Sequence, residues 1–329
     1  MASIRNRNGV WQARITRKGQ EPVSKSFATR HDAERWARQI ETQIDQGRFV
    51  SLKQDERTTL GELIGRYRAE VTPQMKSAET DSIKLLALMR NPLCKLTMIA
   101  LTPARMAEFR DQRLKQVTSG TVIRELAYFS SVINHARREW GINAENPVRL
   151  VRKPPSPPGR SRVVSEAELV RILDALTPSA KCRITPWMKP LVELAVETAM
   201  RRGELLSLRW SDIDFSEGVA YLQITKNGEG RHVPLSSRAI AILKALPRSL
   251  CGYLFPIKPQ TVAAAFMRAT DRVGLGEVRF HDLRHTATTV MANKLPNVIE
   301  LAAVTGHKSL SMLKRYYHPK AADLAKKLG

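Results

Sequence analysis

The stretch RKPPSPPGRSR, residues 152–162, sets four prolines and a glycine among a run of positive charges. Proline holds such a segment extended, and charge keeps it solvated or against phosphate. The chain is therefore expected to break into domains there, with Arg152, Lys153, Arg160 and Arg162 as candidate contacts to a polyanion. At 329 residues it is long enough for two domains or a little more, with a sizeable core in at least one of them.

On the N-terminal side of this linker, residues 57–150 read as helical throughout. Thr59 and Glu62 form a capping box in TTLGELIGRYRAEV, and TPARMAEFRDQRLKQV and SGTVIRELAYFSSVINHARREWG are amphipathic helices. A compact helical bundle is expected. Residues 1–56 form a smaller unit. GVWQARIT alternates as a strand does, VSKSFAT reads as its partner, and a helix capped by Thr29 runs to Gly47. Exposed Arg5, Arg7, Arg14, Arg17, Lys18 and Lys25 suit this β-ribbon and helix to lie along a DNA groove.

On the C-terminal side, residues 163–329 open with a second capping box, Ser165 and Glu168, and continue mainly as helix. One hairpin interrupts them: GVAYLQITKNGEGRHVPL holds two β-rich runs around Asn227-Gly228. The expected fold is mainly α and multidomain: an N-terminal β-ribbon plus helix, a helical bundle, the linker of residues 151–162, and a mixed α/β, mostly helical, last domain.

Composition narrows the partner. Lys and Arg outnumber Asp and Glu by 54 to 31, a net charge of +23. The excess is +4 over residues 1–56, +6 over 57–150 and +13 over 151–329, so no single basic tail explains it. A solvated basic surface is the bland explanation; charge of this size along the whole chain points instead to a polyanion. No apolar run approaches the roughly 20 residues needed to span a membrane, and the N-terminus lacks the apolar centre of a signal peptide. Cys94, Cys182 and Cys251 have no zinc-type spacing and read as reduced core thiols of a cytoplasmic protein. Nucleic acid is the expected partner.

Several residues could carry chemistry. In HDLRHTATTVMANKL, His281, Arg284 and His285 share one helical face, a costly grouping unless an anion or an ion pair sits there. In ETAMRRGELLSLRWSDID, Arg201 or Arg202 lies at a helix break with Glu204 near enough to orient it; either could grip a phosphate or merely serve a helix dipole. Lys226 lies at the hairpin tip, where most lysines are simply solvated.

Taken in order, TAMRRGELLSLRWSDID, TKNG followed by RHVPL, HDLRH, GH, and a tyrosine nine residues after that histidine resemble the tyrosine recombinases, the phage integrase family. The resemblance covers residues 163–329, and the domain order agrees with it: an arm-type DNA-binding ribbon, a core-type DNA-binding bundle, a linker and a catalytic domain. It implies a site-specific DNA recombinase that cuts and rejoins strands through a 3′-phosphotyrosine, on double-stranded recombination sites, as a homotetramer in the synaptic complex, with accessory DNA-bending proteins as further partners. Arg201 matches the first catalytic arginine, Glu204 its structural support, Lys226 the hairpin lysine, His281 and Arg284 the second box, His307 the later histidine and Tyr316 the nucleophile. WGINAENPVRLVRKP, ETAMRRGE and SMLKRYYH look most like shufflon-type inversion recombinases. Ala199 stands where the family often has glycine, and in relatives a terminal helix like AADLAKKLG packs on a neighbouring protomer.

The implied chemistry needs no ATP, metal or other cofactor. Arg201 and Arg284 clamp the non-bridging oxygens, Lys226 protonates the leaving 5′ oxygen, His281 takes or holds the tyrosine proton and His307 adds a hydrogen bond. The competing readings are a non-catalytic DNA-binding or architectural protein and a type IB topoisomerase-like enzyme. Between the adjacent tyrosines, a helix over SLSMLKRYYH places Tyr317 on an apolar stripe with Leu310 and Leu313, and Tyr316 on another face with Ser309 and Met312. Helical phase and the spacing from His307 both choose Tyr316.

Overall fold

The computed structural model describes residues 2–17, 22–46, 53–178, 185–223, 230–295, 297–317 and Ala325. Lys18, Lys226, Cys182 and nearly all of the C-terminal tail lie outside the described residues. The chain separates into two compact units, 1–158 and 159–329.

In the first unit, β1 (Ala2–Arg7), β2 (Val10–Ile15) and β3 (Val23–Phe27) form an antiparallel sheet in that order. The polar ASIRNR stretch supplies a third strand that composition did not announce; it pairs along its length with β2, Ala2 opposite Ile15 and Arg7 opposite Val10. Helix α1 (Arg30–Asp45) begins at Thr29, whose hydroxyl accepts the Asp32 N–H, and covers one face of the sheet. Ala13, Ile15, Ala33 and Ala37 are buried there, with Phe27 and Trp36 in ring contact at 5.5 Å.

Period-two alternation sorts the basic side chains of the ribbon. Register sets Arg5 opposite Gln12 and Arg14 opposite Ser24, so Arg5, Arg7 and Arg14 share the face away from α1. Lys25, opposite buried Ala13, is on the other face, with its ammonium 5.7 Å from the Phe27 ring. Arg17 is paired with Asp45 at 2.6 Å.

The remainder of this unit is helical: α2 (Lys53–Arg57), α3 (Leu60–Glu70), α4 (Ala78–Met89), α5 (Pro103–Leu114) and α6 (Ser119–Glu139). The Thr59–Glu62 capping box starts α3. Successive turns of α6 bury Val122, Leu126, Phe129, Ile133 and Ala136 against α3 and α5. Asp55, fully buried, accepts backbone N–H bonds from Asn143 and Ala144 and so ties α2 to the chain leaving α6. Arg152 and Lys153 are exposed beyond it.

The second unit holds α7 (Glu166–Ala175), α8 (Met188–Thr198), α9 (Arg202–Ser207), the three-stranded antiparallel sheet β4 (Ile213–Asp214), β5 (Val219–Leu222) and β6 (Arg231–Pro234), then α10 (Ser237–Ala245), α11 (Pro259–Arg272), α12 (Phe280–Lys294), α13 (Val298–Thr305) and α14 (Leu310–Leu313). Apolar α8 packs against α7, α10, α11 and α12, and its Leu191, Val192, Leu194 and Ala195 are buried.

Two expectations need correction, and two arginines prove to be paired. Cys251 is exposed, in a turn beside Ser249, and only Cys94 of the two described cysteines is a core thiol. Helix α14 stops at Leu313, with Leu310 49% exposed, so the stripe of Leu310, Leu313 and Tyr317 does not form. Tyr316, in the turn after the helix, instead packs against the cluster of Ala292, Leu301 and Leu313. Finally, Arg160 and Arg162 are engaged by carboxylates of their own unit. Arg160 forks onto Asp282 at 3.1 and 2.7 Å, and Arg162 reaches Glu168 at 2.5 Å and Glu277 at 3.3 Å. Both guanidiniums remain partly exposed.

Candidate active site

Two helix C-termini build the site. Helix α8 ends in Ala199, whose φ of 53° is left-handed, and α13 ends in Gly306, with φ of 70°. Each reversal turns the last carbonyls of its helix outward, where the helix dipole makes them good partners for a cation. Arg284, on α12, donates to both ends: Nη1 to the Ala199 carbonyl at 2.5 Å and Nη2 to the Thr305 carbonyl at 2.7 Å. Arg201 donates from Nη2 to the Gly306 carbonyl at 3.3 Å and from Nη1 to Glu204 Oε1 at 2.6 Å.

Glu204 is buried in the first turn of α9, where its carboxylate also accepts the Arg201 N–H. A third arginine meets it. Arg231, on β6, forks onto both Glu204 oxygens at 3.0 Å each. Burial pushes the Glu204 carboxyl up, but the Arg231 fork and the Arg201 contacts outweigh it and hold the group at about 2. Motif spacing does not single out Arg231, although alternation along RHVP puts it on the same side as buried Val233, an unusual station for an arginine.

Two guanidiniums thus share one carboxylate, and a third stands near them. Arg284 is 4% exposed and donates to two backbone carbonyls, and burial, with Arg201 adding repulsion, draws it down to about 10. It remains charged at neutral pH, and a buried excess of positive charge is stabilised by an incoming anion.

His307 follows Gly306 directly. Its Nδ1 lies 2.7 Å from the Thr305 hydroxyl and its Nε2 lies 3.3 Å from Arg284 Nη2. Burial first, then Arg284, Arg201 and Arg231, press it down to about 3, so the ring is neutral in ordinary buffers.

Tyr316 closes the group. Its ring lies 6.2 Å from that of His307, and its hydroxyl is hydrogen-bonded to Nδ1 of His285, with the two rings stacked 27° apart at 5.7 Å. His281, the residue expected to serve the tyrosine proton, lies one turn earlier on α12 with its ring edge-on to His285 at 5.1 Å. It lines a neighbouring cavity of about 550 Å³ with Arg202, Phe266, Met267 and Arg279. Of the two adjacent arginines, Arg201 enters the cluster and Arg202 the cavity rim. Arg201, Glu204, Arg284, His307 and Tyr316 are therefore brought together. Among the described residues no group of three or more His, Cys, Asp or Glu could hold a metal ion.

Comparison with known proteins gives the family. Residues 162–323 match the model of the phage integrase family, and residues 55–153 match that of the phage integrase N-terminal domain. A shufflon-specific DNA recombinase of Escherichia coli is 39% identical over 82% of this chain and 71% of its own length. The chain belongs to the phage integrase family of tyrosine recombinases. A putative integrase/recombinase of Haemophilus influenzae is 34% identical over 98% of the chain and 89% of that protein. Among solved structures, a lambda integrase dimer bound to a core site superposes with a TM-score of 0.65 at 24% identity, over 96% of this recombinase and 94% of that chain. The Tn1549 transposon integrase in complex with circular intermediate DNA gives a TM-score of 0.65 at 16% identity, over 83% of this chain and 99% of that one. At these identities the two structures speak for the fold.

Proposed function

We propose that this recombinase cuts and rejoins double-stranded DNA at specific sites through a covalent bond between Tyr316 and a 3′ phosphate. One observation carries the reading: the Tyr316 hydroxyl stands near Arg284 in a cluster that, among the described residues, has one carboxylate, Glu204, beside three guanidiniums. Arg201 and Arg284 hold the non-bridging oxygens of the scissile phosphodiester, and their planar forks, fixed by helix-end carbonyls, need no reorganisation as charge builds. His307, pinned at Nδ1 by Thr305, offers a hydrogen bond from Nε2 to the same phosphate once the anion offsets the repulsion of the arginines and the ring takes up a proton. Lys226 is the proposed acid for the leaving 5′ oxygen, and Glu204 holds Arg201 and Arg231 in register. The phosphotyrosine conserves the bond energy, so a 5′ hydroxyl reseals the strand by the reverse step.

Integration, excision and inversion share this chemistry and differ in how two sites are arranged. A tetramer on two duplexes is the proposed working assembly, supported by a lambda integrase tetramer solved on a Holliday junction. The three-stranded ribbon contacts arm sites, residues 57–150 contact the core site, and DNA-bending proteins assist in the cytoplasm of a bacterial host. No helix among the described residues is long and apolar enough to cross a membrane.

A nicked suicide substrate, on which the cut strand loses its 5′ hydroxyl fragment, tests the reading. The wild-type protein accumulates a covalent protein–DNA adduct and Tyr316→Phe gives none; an adduct with Tyr316→Phe, or none with wild type on its own site, overturns it.

A further inference from the structure

We infer that His285 is the group that takes the Tyr316 proton during cleavage and returns it during ligation. The inference rests on the reading of Tyr316 as nucleophile and adds to it a base that the motif-by-motif assignment did not name.

The geometry is direct. His285 Nδ1 makes a hydrogen bond with Tyr316 Oη, the atom that must attack phosphorus. Its ring stacks on the phenol, a contact that fixes the direction of the lone pair as well as its distance. Both partners sit on restrained elements. His285 is the sixth residue of α12, one position past Arg284, whose guanidinium is held by Ala199 and Thr305. Tyr316 is held by the apolar cluster of Ala292, Leu301 and Leu313.

The protonation states suit the task. Burial holds His285 below the ordinary histidine range, with repulsion from His281, Arg315 and Arg284 adding to it and Asp282 opposing. The ring is neutral at pH 7 and has a lone pair to offer. Burial raises the Tyr316 phenol, against the pull of Arg315 and Arg284, so the hydroxyl keeps its proton at rest. A phenol that must be deprotonated in the transition state therefore already donates to a free base.

The step balances without another reactant at the nucleophile. As Tyr316 Oη bonds to phosphorus, its proton passes to His285 Nδ1 and the P–O5′ bond breaks; the 5′ oxygen takes its own proton from the acid proposed above, Lys226. In ligation the 5′ hydroxyl attacks, Tyr316 Oη leaves, and the imidazolium gives its proton back. Asp282, three residues before His285 and favouring its charged form, stabilises the imidazolium in between.

The test is single-turnover cleavage of the suicide substrate as a function of pH by wild type, His285→Ala and the closer-sized His285→Asn. The expected result is a loss of about 10²- to 10⁴-fold at pH 7 in both variants, with unchanged DNA affinity, a deficit that narrows as pH rises towards phenol ionisation, and partial rescue of His285→Ala by added imidazole. A substrate with sulfur in place of the bridging 5′ oxygen, whose leaving group needs no acid, restores Lys226→Ala but leaves the His285 variants slow. If His285→Asn, folded by its thermal melt, cleaves at the wild-type rate with the wild-type pH profile, or if the sulfur substrate restores it, the assignment is overturned while the recombinase reading stands. Failure of wild type to form any adduct is the distinct outcome that removes the function itself.

Discussion

Gly306 lies against the guanidinium of Arg231 so closely that a Cβ at Gly306 would meet Arg231 Nη1 at 2.6 Å and Cζ at 2.7 Å. The glycine is thus required twice, by its left-handed φ of 70° and by the arginine packed on its face. Its carbonyl receives Arg201, and its neighbour is His307.

Gly306→Ala should therefore be a fault of the site as well as of the fold. A left-handed alanine costs roughly 1–2 kcal/mol, and relief of the clash requires Arg231 to leave Glu204. We expect a lower melting temperature of the recombinase together with a cleavage defect that persists well below that temperature. Wild-type cleavage by a folded Gly306→Ala protein would show that Arg231 has no part in aligning Glu204 and Arg201.

Ala199 presents the opposite case. It is fully buried with φ of 53°, and the family's frequent glycine at this place now has a physical reason: the turn that aims the Ala199 carbonyl at Arg284 is left-handed. Ala199→Gly relieves that strain and gives back part of it as unfolded-chain entropy, for a net gain of up to about 1 kcal/mol. Thermal denaturation should register this as a rise of about 2–4 °C; a fall would mean that the lost methyl's packing outweighs the strain.

The parts of the site legible in the sequence are those whose position follows from local spacing. Arg201 with Glu204, and Arg284 with its two flanking histidines, lie within one turn of helix, so side-chain proximity is implied by the helix itself. The β5–β6 pairing was legible from Asn227-Gly228 and alternation. Arg231 was not, because its partner Glu204 is 27 residues away and joined only through the tertiary fold. That the Tyr316 hydroxyl meets His285 depends on which turn of α12 the Tyr316 segment crosses, again a long-range matter. The helical phase that favours Tyr316 is not adopted by the chain, since α14 ends three residues earlier, which leaves the spacing from His307 as the sequence argument for it.

The buried cationic site should make the recombinase acid-sensitive in two stages. His307, ordinarily near 6.5, is held at about 3 in the folded protein, so the unfolded chain binds the extra proton first and stability falls as pH drops from about 6.5 towards 3. Depressed His285 acts in the same direction. Glu204, ordinarily 4.5 and held at about 2, adds a second loss as pH falls through that lower window. Urea unfolding from pH 7.5 to 4 should show the first slope, and His307→Phe should flatten it. Glu204→Gln should already be destabilised at pH 7, because Arg201 and Arg231 lose their shared anion; unaltered stability there would show that the arginines tolerate one another without it.

Register in the N-terminal sheet makes an ordered claim about DNA. Arg5, Arg7 and Arg14 lie on the face away from α1, whereas Lys25 lies on the opposite face and Arg17 is paired with Asp45. If that free face meets the duplex, alanine at Arg5, Arg7 or Arg14 should each weaken binding to an arm-site duplex and lower the slope of log affinity against log salt by about 1. Alanine at Arg17 should change the slope less, since it removes a charge that Asp45 already balances. Alanine at Lys25 should leave the slope near its wild-type value. Equal effects at all five positions, measured by fluorescence anisotropy across a salt titration, would mean that phosphate is gathered by the general positive field of the ribbon rather than by one face of it.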